Sequence, residues 1–188
     1  KAFSMSGDLF YHANQPDEAL ICYEKCIALR GNVFPVWENE MTILKEKKDW
    51  PRLFSTADKA LEWFPNQAKV RLFRGIALNE TGRADEAVAD LEQAVLMAGN
   101  NLPLKSDAYD CLGLVFYKKK DWATARQKWE TGLAKCGEIN PFLLDHLGDA
   151  LAQMGEADAA VGFWQKAKSK GLKSARIDQK IAERRVIE

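Results

Sequence analysis

The sequence predicts an all-α fold, a solenoid of about five helix-turn-helix repeats followed by a capping helix. Four glycines are each followed twelve residues later by an alanine, which gives the pairs Gly7/Ala19, Gly75/Ala87, Gly113/Ala125 and Gly148/Ala160. With a fifth copy that lacks the glycine, successive copies start about 34, 34, 38 and 35 residues apart, which is the period of helical solenoids. All six prolines fall at predicted helix starts or between repeats, where proline is tolerated.

The recurrent glycines indicate close packing between helices. A glycine inside a helix costs about 1 kcal/mol relative to alanine, so its recurrence at one phase of four helices needs a reason. Each glycine is also followed, sixteen residues on, by a large side chain: Tyr23, Leu91, Trp129 and Trp164. The pattern predicts that a neighbouring helix approaches each glycine.

The helices can be assigned in order along the chain. Pairs are predicted at residues 2–13 with 17–30, 35–47 with 51–63, 67–81 with 84–98, 106–119 with 122–135, and 141–154 with 157–169. Pro16 and Pro51 open second helices, Pro35 and Pro141 open first helices, and Pro65 and Pro103 fall between repeats. Short polar breaks that join antiparallel helices lie at Asn14-Gln15, Lys48-Asp49, Gly82-Arg83, Lys120-Asp121 and Gly155-Glu156.

These elements predict one domain over residues 1–188, with repeats at about 1–33, 34–67, 68–101, 106–139 and 141–172. Residues 98–104 lengthen the junction between the third and fourth repeats, so a local change in the superhelix is expected there. Residues 173–188 carry Ile177 and Ile181 one turn apart among basic residues, which predicts a terminal helix that covers the last repeat. Solenoids need such a cover because their ends otherwise expose apolar faces.

The repeats resemble the tetratricopeptide repeat (TPR) family over nearly the whole chain. The family's sequence of large, small and aromatic positions is matched by Tyr109-Leu112-Gly113-Phe116, then Ala125, Trp129 and Gly132. It is matched again by Leu144-Leu147-Gly148-Leu151, then Ala160, Trp164 and Ala167. The resemblance implies a right-handed superhelix that acts as a protein-interaction scaffold or adaptor, with no catalytic activity of its own.

The resemblance also implies where a partner binds, because the family's first helices line a concave groove. The matching positions are Asp8, Tyr11, Glu38, Thr42, Lys45, Leu72, Ile76, Asn79, Asp110, Leu114, Tyr117, Asp145 and Asp149. The middle of this set is apolar and its later end is acidic. Exposed apolar patches rimmed by charge are typical of interaction surfaces, so we expect a protein or peptide partner with apolar anchors and basic residues.

Some family members grip a C-terminal carboxylate with lysine, asparagine and arginine on successive first helices. Only Asn39 and Lys69 fit that set here, and Asp8 would repel a carboxylate. Binding of that kind is therefore not expected. The last repeat also looks like the closing repeats of bacterial members, some of them exported or lipid-anchored, so both a cytoplasmic and a periplasmic or envelope location remain open.

The composition argues against nonspecific nucleic-acid binding and against a segment that spans a membrane. The 188 residues are 47% apolar and 29% charged with a formal net charge of zero, which argues against nonspecific nucleic-acid binding. No stretch approaches the roughly 20 apolar residues that span a bilayer. The sequence starts at Lys1 without methionine, which indicates an incomplete or processed N-terminus, so a missing signal peptide does not place the chain in the cytoplasm.

Residues capable of chemistry are few, and no catalytic, cofactor or metal site is predicted. Cys22 and Cys26 have the i,i+4 spacing of two metal ligands, but buried or partly buried thiols are favoured over a metal site or redox chemistry for all four cysteines. His146 lies beside Asp145 and one turn from Asp149, which we interpret as a polar helix face because no nucleophile accompanies it. The tryptophans are assigned mostly to core packing.

Two further classes of function remain open. The chain could be a non-catalytic repeat segment of a larger enzyme or of a secretion or envelope assembly. It could also be a homodimerisation module, for which the basic last helix and the acidic groove would supply complementary charges.

Overall fold

The first half of the protein is a compact unit of helix pairs. The computed structural model describes residues 2–187, and its first compact unit ends at Asp90. The helices that begin in this unit are α1 (Ala2–His12), α2 (Pro16–Leu29), α3 (Phe34–Glu46), α4 (Trp50–Trp63), α5 (Ala68–Glu80) and α6 (Ala84–Met97). The core of the unit includes Tyr23, Met41, Leu44 and Leu53, which are all fully buried or nearly so.

The second compact unit begins at Leu91, inside α6. It contains α7 (Leu102–Lys118), α8 (Trp122–Cys136), α9 (Pro141–Gln153), α10 (Ala157–Ser169) and α11 (Ala175–Glu183). Helix α7 packs on α8 and α9, α9 packs on α10, and α11 packs on α10. Five helix-turn-helix repeats and a capping helix, without strands in residues 2–187, confirm the predicted all-α solenoid class.

The turn inside each helix pair has the same backbone geometry, at the sites that the sequence predicts. Its first residue has a positive φ angle in every pair: Asn14 (58°), Lys48 (56°), Gly82 (82°), Lys120 (60°) and Gly155 (83°). The next residue's N–H then donates to a carbonyl five residues back, as in Asp49 N to Leu44 O (2.9 Å) and Asp121 N to Phe116 O (3.0 Å). This bond satisfies carbonyl groups that the end of the helix leaves open.

Three of the repeat glycines make room for an aromatic ring. A Cβ atom on Gly113 would lie 2.2 Å from Cε2 of Trp129, and one on Gly148 would lie 2.6 Å from Nε1 of Trp164. On Gly7 it would lie 2.5 Å from Cε1 of Tyr23. The predicted close approach of the second helix to these glycines is therefore confirmed.

The predicted junction between the third and fourth repeats is wrong in detail. Residues 102–104 belong to α7, and Pro103 lies in the first turn of that helix instead of between repeats. The side chain of Asn101 caps the helix by accepting from Leu104 N at 3.1 Å. Proline needs no hydrogen bond in a first helical turn, so the extra residues lengthen the helix to 17 residues.

The exposure of one tryptophan and of one lysine was not predicted from the sequence. Trp63 is 55% exposed, although its ring still covers Gly31. The terminal helix is shorter than predicted and starts after Ser174, whose Oγ accepts from Ile177 N at 3.2 Å. Ile177 is buried as expected, but Lys180 is also buried, with 1% exposure. The predicted last residue of this segment, Glu188, lies outside the described residues.

The first unit also buries an ionisable group, Glu40 on α3. Its side chain is 5% exposed, and Oε1 accepts from the Thr56 hydroxyl at 3.0 Å. Oε2 has no hydrogen-bond partner within residues 2–187. Burial raises the pKa of Glu40 to about 7, because an ionised carboxylate is poorly solvated there.

We therefore expect the contribution of Glu40 to stability to fall as pH rises from about 4.5 to about 7. In that range the folded state binds more protons than the unfolded state, so the free energy of unfolding decreases with pH. The loss is on the order of 2–3 kcal/mol, and Glu40→Gln removes it. Urea unfolding across this pH range measures the slope, with Glu62→Gln at an exposed position as control. An unchanged slope in Glu40→Gln would contradict the assignment.

Candidate partner-binding surface

The first helices of the repeats carry the residues that the family resemblance assigns to partner binding. In the first unit these residues lie on α1, α3 and α5, and in the second unit on α7 and α9. We call the surface that these helices contribute within each unit the first-helix surface. The acidic side chains on it all bind other residues of their own unit.

Of the residues predicted to bind a partner in the first unit, Asp8 and Glu38 are acidic. Asp8 Oδ1 accepts from the Tyr23 hydroxyl at 2.7 Å and from Asn39 Nδ2 at 3.1 Å. Burial and the bond to Asp8 raise the pKa of Tyr23, which keeps its hydroxyl a donor. Glu38 forms an ion pair with Lys69. Asn39 and Lys69, the two residues that fit a carboxylate grip, are thus both engaged internally.

In the second unit, Asp110 of α7 is buried and is held from two sides. Its Oδ1 accepts from Trp129 Nε1 at 3.1 Å and lies 2.8 Å from His146 Nδ1. Burial acts to lower the pKa of His146, but Asp110 and the nearby Asp145 and Asp149 outweigh it, so the pKa is raised. The carboxylate that pairs with His146 is therefore on the preceding first helix, and the arrangement joins α7 to α9.

Asp145 and Asp149 of α9 share one buried cation, Lys180 of α11. The Nζ atom lies 2.8 Å from Asp145 Oδ1 and 2.7 Å from Asp149 Oδ1. Trp164 Nε1 also donates to Asp149 Oδ1 at 3.0 Å, and Nζ lies 5.8 Å from the centre of the Trp164 ring. Burial raises the pKa of Asp149, and Lys180 opposes the rise. The capping helix is thus anchored electrostatically to the last first helix.

The other predicted residues differ in exposure. Leu72 was expected in an exposed apolar patch but is buried, with 6% exposure, because α5 packs against both α3 and α4. The Tyr11 hydroxyl donates to Glu46 at 3.0 Å, and that of Thr42 donates to the Glu38 carbonyl at 2.8 Å. Lys45 is exposed, whereas Ile76, Asn79, Leu114 and Tyr117 are partly buried. Their role in binding stays a prediction.

The second unit has an open cleft on its first-helix surface, with a volume of about 440 Å³. It is lined by Tyr117 of α7, Lys120 and Trp122 at the following turn, Asp149 and Gln153 of α9, Arg176 of α11, and Val186. The rings of Tyr117 and Trp122 lie 4.6 Å apart between centres at an angle of 59°. Burial raises the pKa of Tyr117, and the side chain of Gln153 opposes the rise.

Sequence reasoning missed the partners of the acidic residues, although the repeat period contains a signal. Each partner lies about one repeat after its acid: Asn39 after Asp8 by 31 residues, Lys69 after Glu38 by 31, His146 after Asp110 by 36 and Lys180 after Asp145 by 35. Within each unit, successive first helices, including the capping helix of the second unit, therefore bind each other through polar side chains about one repeat apart. Searching for opposite polarity at one repeat spacing would have found these pairs.

The cysteines are thiols, as predicted. Cys26 and Cys136 are buried, Cys22 and Cys111 are partly buried, and no disulfide joins them in the described part of the chain. Residues 2–187 hold no group of three or more histidine, cysteine, aspartate or glutamate side chains arranged for a metal ion. None of their helices is long and apolar enough to cross a membrane.

The fold and this surface define a helix-turn-helix repeat protein. The tetratricopeptide repeat family model matches residues 1–32 and 68–101, and the fourth and fifth repeats keep the glycine-to-aromatic packing of the first. The matched segments and the fold support a TPR-type repeat protein, and proteins with such repeats are generally protein-interaction scaffolds and are mostly non-catalytic.

Similar solved structures show the same fold, and one curated protein matches part of the chain. The chain is 24% identical over 120 residues to the E3 ubiquitin-protein ligase CHIP of Arabidopsis thaliana, a match over 62% of this chain and 43% of that protein. Among solved structures it is similar to PilW, a type IV pilus biogenesis factor, with a TM-score of 0.80, 17% identity and coverage of 97% and 84%. It is also similar to YrrB, a TPR protein described as having an unusual peptide-binding site, with a TM-score of 0.63, 14% identity and coverage of 96% and 90%.

Proposed function

We propose that this protein is a non-catalytic interaction module that holds a peptide segment or a helix of a partner protein on its first-helix surface. The cleft beside Tyr117 and Trp122 is the observation that carries the proposal. It is open, has two aromatic rings in its wall, and its volume of about 440 Å³ is in the range of ligand sites, roughly 300–1,000 Å³. The peptide-binding site described for YrrB is consistent with such a role.

The internal pairing of the acidic residues makes them unsuitable as contacts for a partner protein. A partner that competed for Asp8, Glu38 or Asp110 would have to break bonds that join successive first helices. Leaving a buried polar group without its partner costs about 1–3 kcal/mol. We therefore assign partner binding in the second unit to the cleft and its rim, which require no such exchange.

A second candidate function is a repeat segment that positions a partner within a longer protein. The curated relative favours it, because the chain spans 43% of the length of that protein. In that case the first-helix surface would bind a segment of the same polypeptide, and the binding chemistry would be unchanged.

Site-specific photocrosslinking tests the proposal. Benzoylphenylalanine at position 153, on the rim of the cleft, is expected to crosslink a partner in cells that produce the protein. The same residue at position 165, exposed on the second helix α10, is the matched control and should capture little. Crosslinks to a shared partner at position 165 but none at position 153 would contradict binding at the first-helix surface.

A further inference from the structure

The cleft of the second unit carries two cations that form no ion pair with a carboxylate of the described residues. Lys120 and Arg176 are exposed, and neither forms an ion pair within residues 2–187. They reach the cleft from different elements, Lys120 from the turn between α7 and α8 and Arg176 from α11. The cleft is thus flanked by positive charge from two separate elements.

Asp149 is the acidic residue among the described side chains that line the cleft, and it cannot offset both charges. It binds Lys180 at 2.7 Å and accepts from Trp164, and it shares that lysine with Asp145, so the two carboxylates keep one net negative charge against the two positive charges of Lys120 and Arg176. An ammonium group from a partner would therefore meet an excess of positive charge and a carboxylate that is already bonded. The charge of the cleft is complementary to an anion, which is opposite to the sign that the sequence alone predicts for this surface.

The remaining wall is apolar and aromatic. The rings of Trp122 and Tyr117 are tilted against each other, and Val186 also lines the cleft. Aromatic side chains supply large contact areas at interfaces, with their polar atoms bonded elsewhere. Here Gln153 lines the cleft together with Tyr117 and is a polar neighbour for its hydroxyl. An apolar side chain can therefore cover the rings while a neighbouring anionic group reaches the cations.

From this arrangement we propose that the cleft recognises an acidic side chain, aspartate or glutamate, next to an apolar residue in a partner peptide. The proposal rests on the proposed function and specifies the chemistry of its partner. Arg176 can form a bidentate pair with a carboxylate, and Lys120 adds a second charge that raises the association rate. The apolar neighbour packs against Trp122 and sets the residence time.

Three blocked peptides of equal length test the recognition, with leucine alternating with glutamate, glutamine or lysine. All are acetylated and amidated, so none has a terminal charge. We expect the glutamate peptide to bind best in fluorescence anisotropy, and to bind less tightly at high salt. The double variant Lys120→Asn with Arg176→Gln should weaken it at least about tenfold. Asparagine keeps the left-handed turn, since Asn14 occupies the equivalent position with φ 58°.

Matched controls separate the cleft from general surface charge. Lys48→Asn changes the equivalent turn of the second repeat, where φ is 56°, and Lys173→Gln changes an exposed residue shortly before α11. Both should bind the glutamate peptide as the wild type does. Equal loss in these controls, equal binding of the glutamine peptide, or no binding of the glutamate peptide would each overturn the proposal.

A fourth peptide distinguishes the source of the carboxylate. If the glutamine peptide with a free C-terminus binds as tightly as the glutamate peptide, the cations recognise a chain terminus and the side-chain proposal fails. The crosslinking experiment also distinguishes failure of the acidic recognition from failure of the proposed function. A partner that crosslinks at position 153 equally well in the wild type and in the double variant would keep the interaction surface and reject the acidic recognition.

Discussion

Replacing Lys180 by methionine is expected to lower the free energy of unfolding of the second unit by about 3–5 kcal/mol. Methionine keeps much of the length of the side chain but removes the charge between Asp145 and Asp149. Two carboxylates that share one buried cation would then face each other without it, and Asp149 is only 6% exposed. Urea unfolding followed by far-UV circular dichroism measures the loss, with Lys173→Met at an exposed position as control.

The loss has an upper limit, because the protein has an alternative to burying unpaired carboxylates. Helix α11 can detach and expose them to water, so the penalty cannot exceed the free energy that docks α11. Hydrogen exchange distinguishes the two responses: detachment speeds exchange of the α11 amides, whereas strain within the packed state weakens α9 as well. Local opening of this kind is expected first at elements with few packing partners.

The pH dependence of this variant has a definite sign. Without Lys180, the main group that opposes the burial raising the pKa of Asp149 is lost, and the weaker effect of His146 still lowers that pKa. The folded variant then binds more protons than the unfolded chain, so its stability rises as pH falls. The difference between wild type and Lys180→Met should therefore shrink in acid. Adding Asp145→Asn and Asp149→Asn should restore part of the loss at neutral pH, and a triple variant no more stable than Lys180→Met would contradict the pairing.

Lys180 also shows where sequence reasoning reached its limit. From sequence alone, a lysine in a segment rich in charged residues is expected to be exposed to solvent, because lysine is almost never fully buried unless it is paired. Its two partners lie in a different helix, 31 and 35 residues earlier, beyond the window over which helical periodicity is read. The sequence predicted the capping helix from Ile177, but not the ion pairs that fix it.

In the rest of the protein, too, features set by local backbone geometry could be predicted, whereas features set by contacts between distant residues could not. The turn at Lys120-Asp121 and the contact of Gly113 with Trp129 were predictable, because both repeat at a fixed phase and depend on local backbone geometry. Pro103 was not, since a proline that starts a helix and one that separates helices have the same sequence signature. The cleft was not predictable either, because Lys120 and Arg176 are 56 residues apart and only the packing of α11 brings them to one surface.

Replacing Gly113 by leucine is expected to destabilise the second unit by about 2–4 kcal/mol. The first added carbon would already lie 2.2 Å from Cε2 and 2.3 Å from Nε1 of Trp129. That ring cannot move aside cheaply, because it is fully buried and Nε1 donates to Asp110. Relief of the overlap would therefore separate α7 from α8 or break the bond that also orders Asp110 for His146.

Gly162 provides the matched control, since it is also a glycine inside a helix of the second unit. A Cβ atom at Gly162 would have no neighbour within 4 Å, so Gly162→Ala should gain up to about 1 kcal/mol from helix propensity alone. Gly113→Ala should lose stability despite the same gain, and Gly113→Leu should lose more. Urea unfolding of the three variants tests this order. If alanine stabilised the protein equally at both positions, the Trp129 ring would have moved without loss of stability. The repeated glycine would then not be needed to make room for the ring.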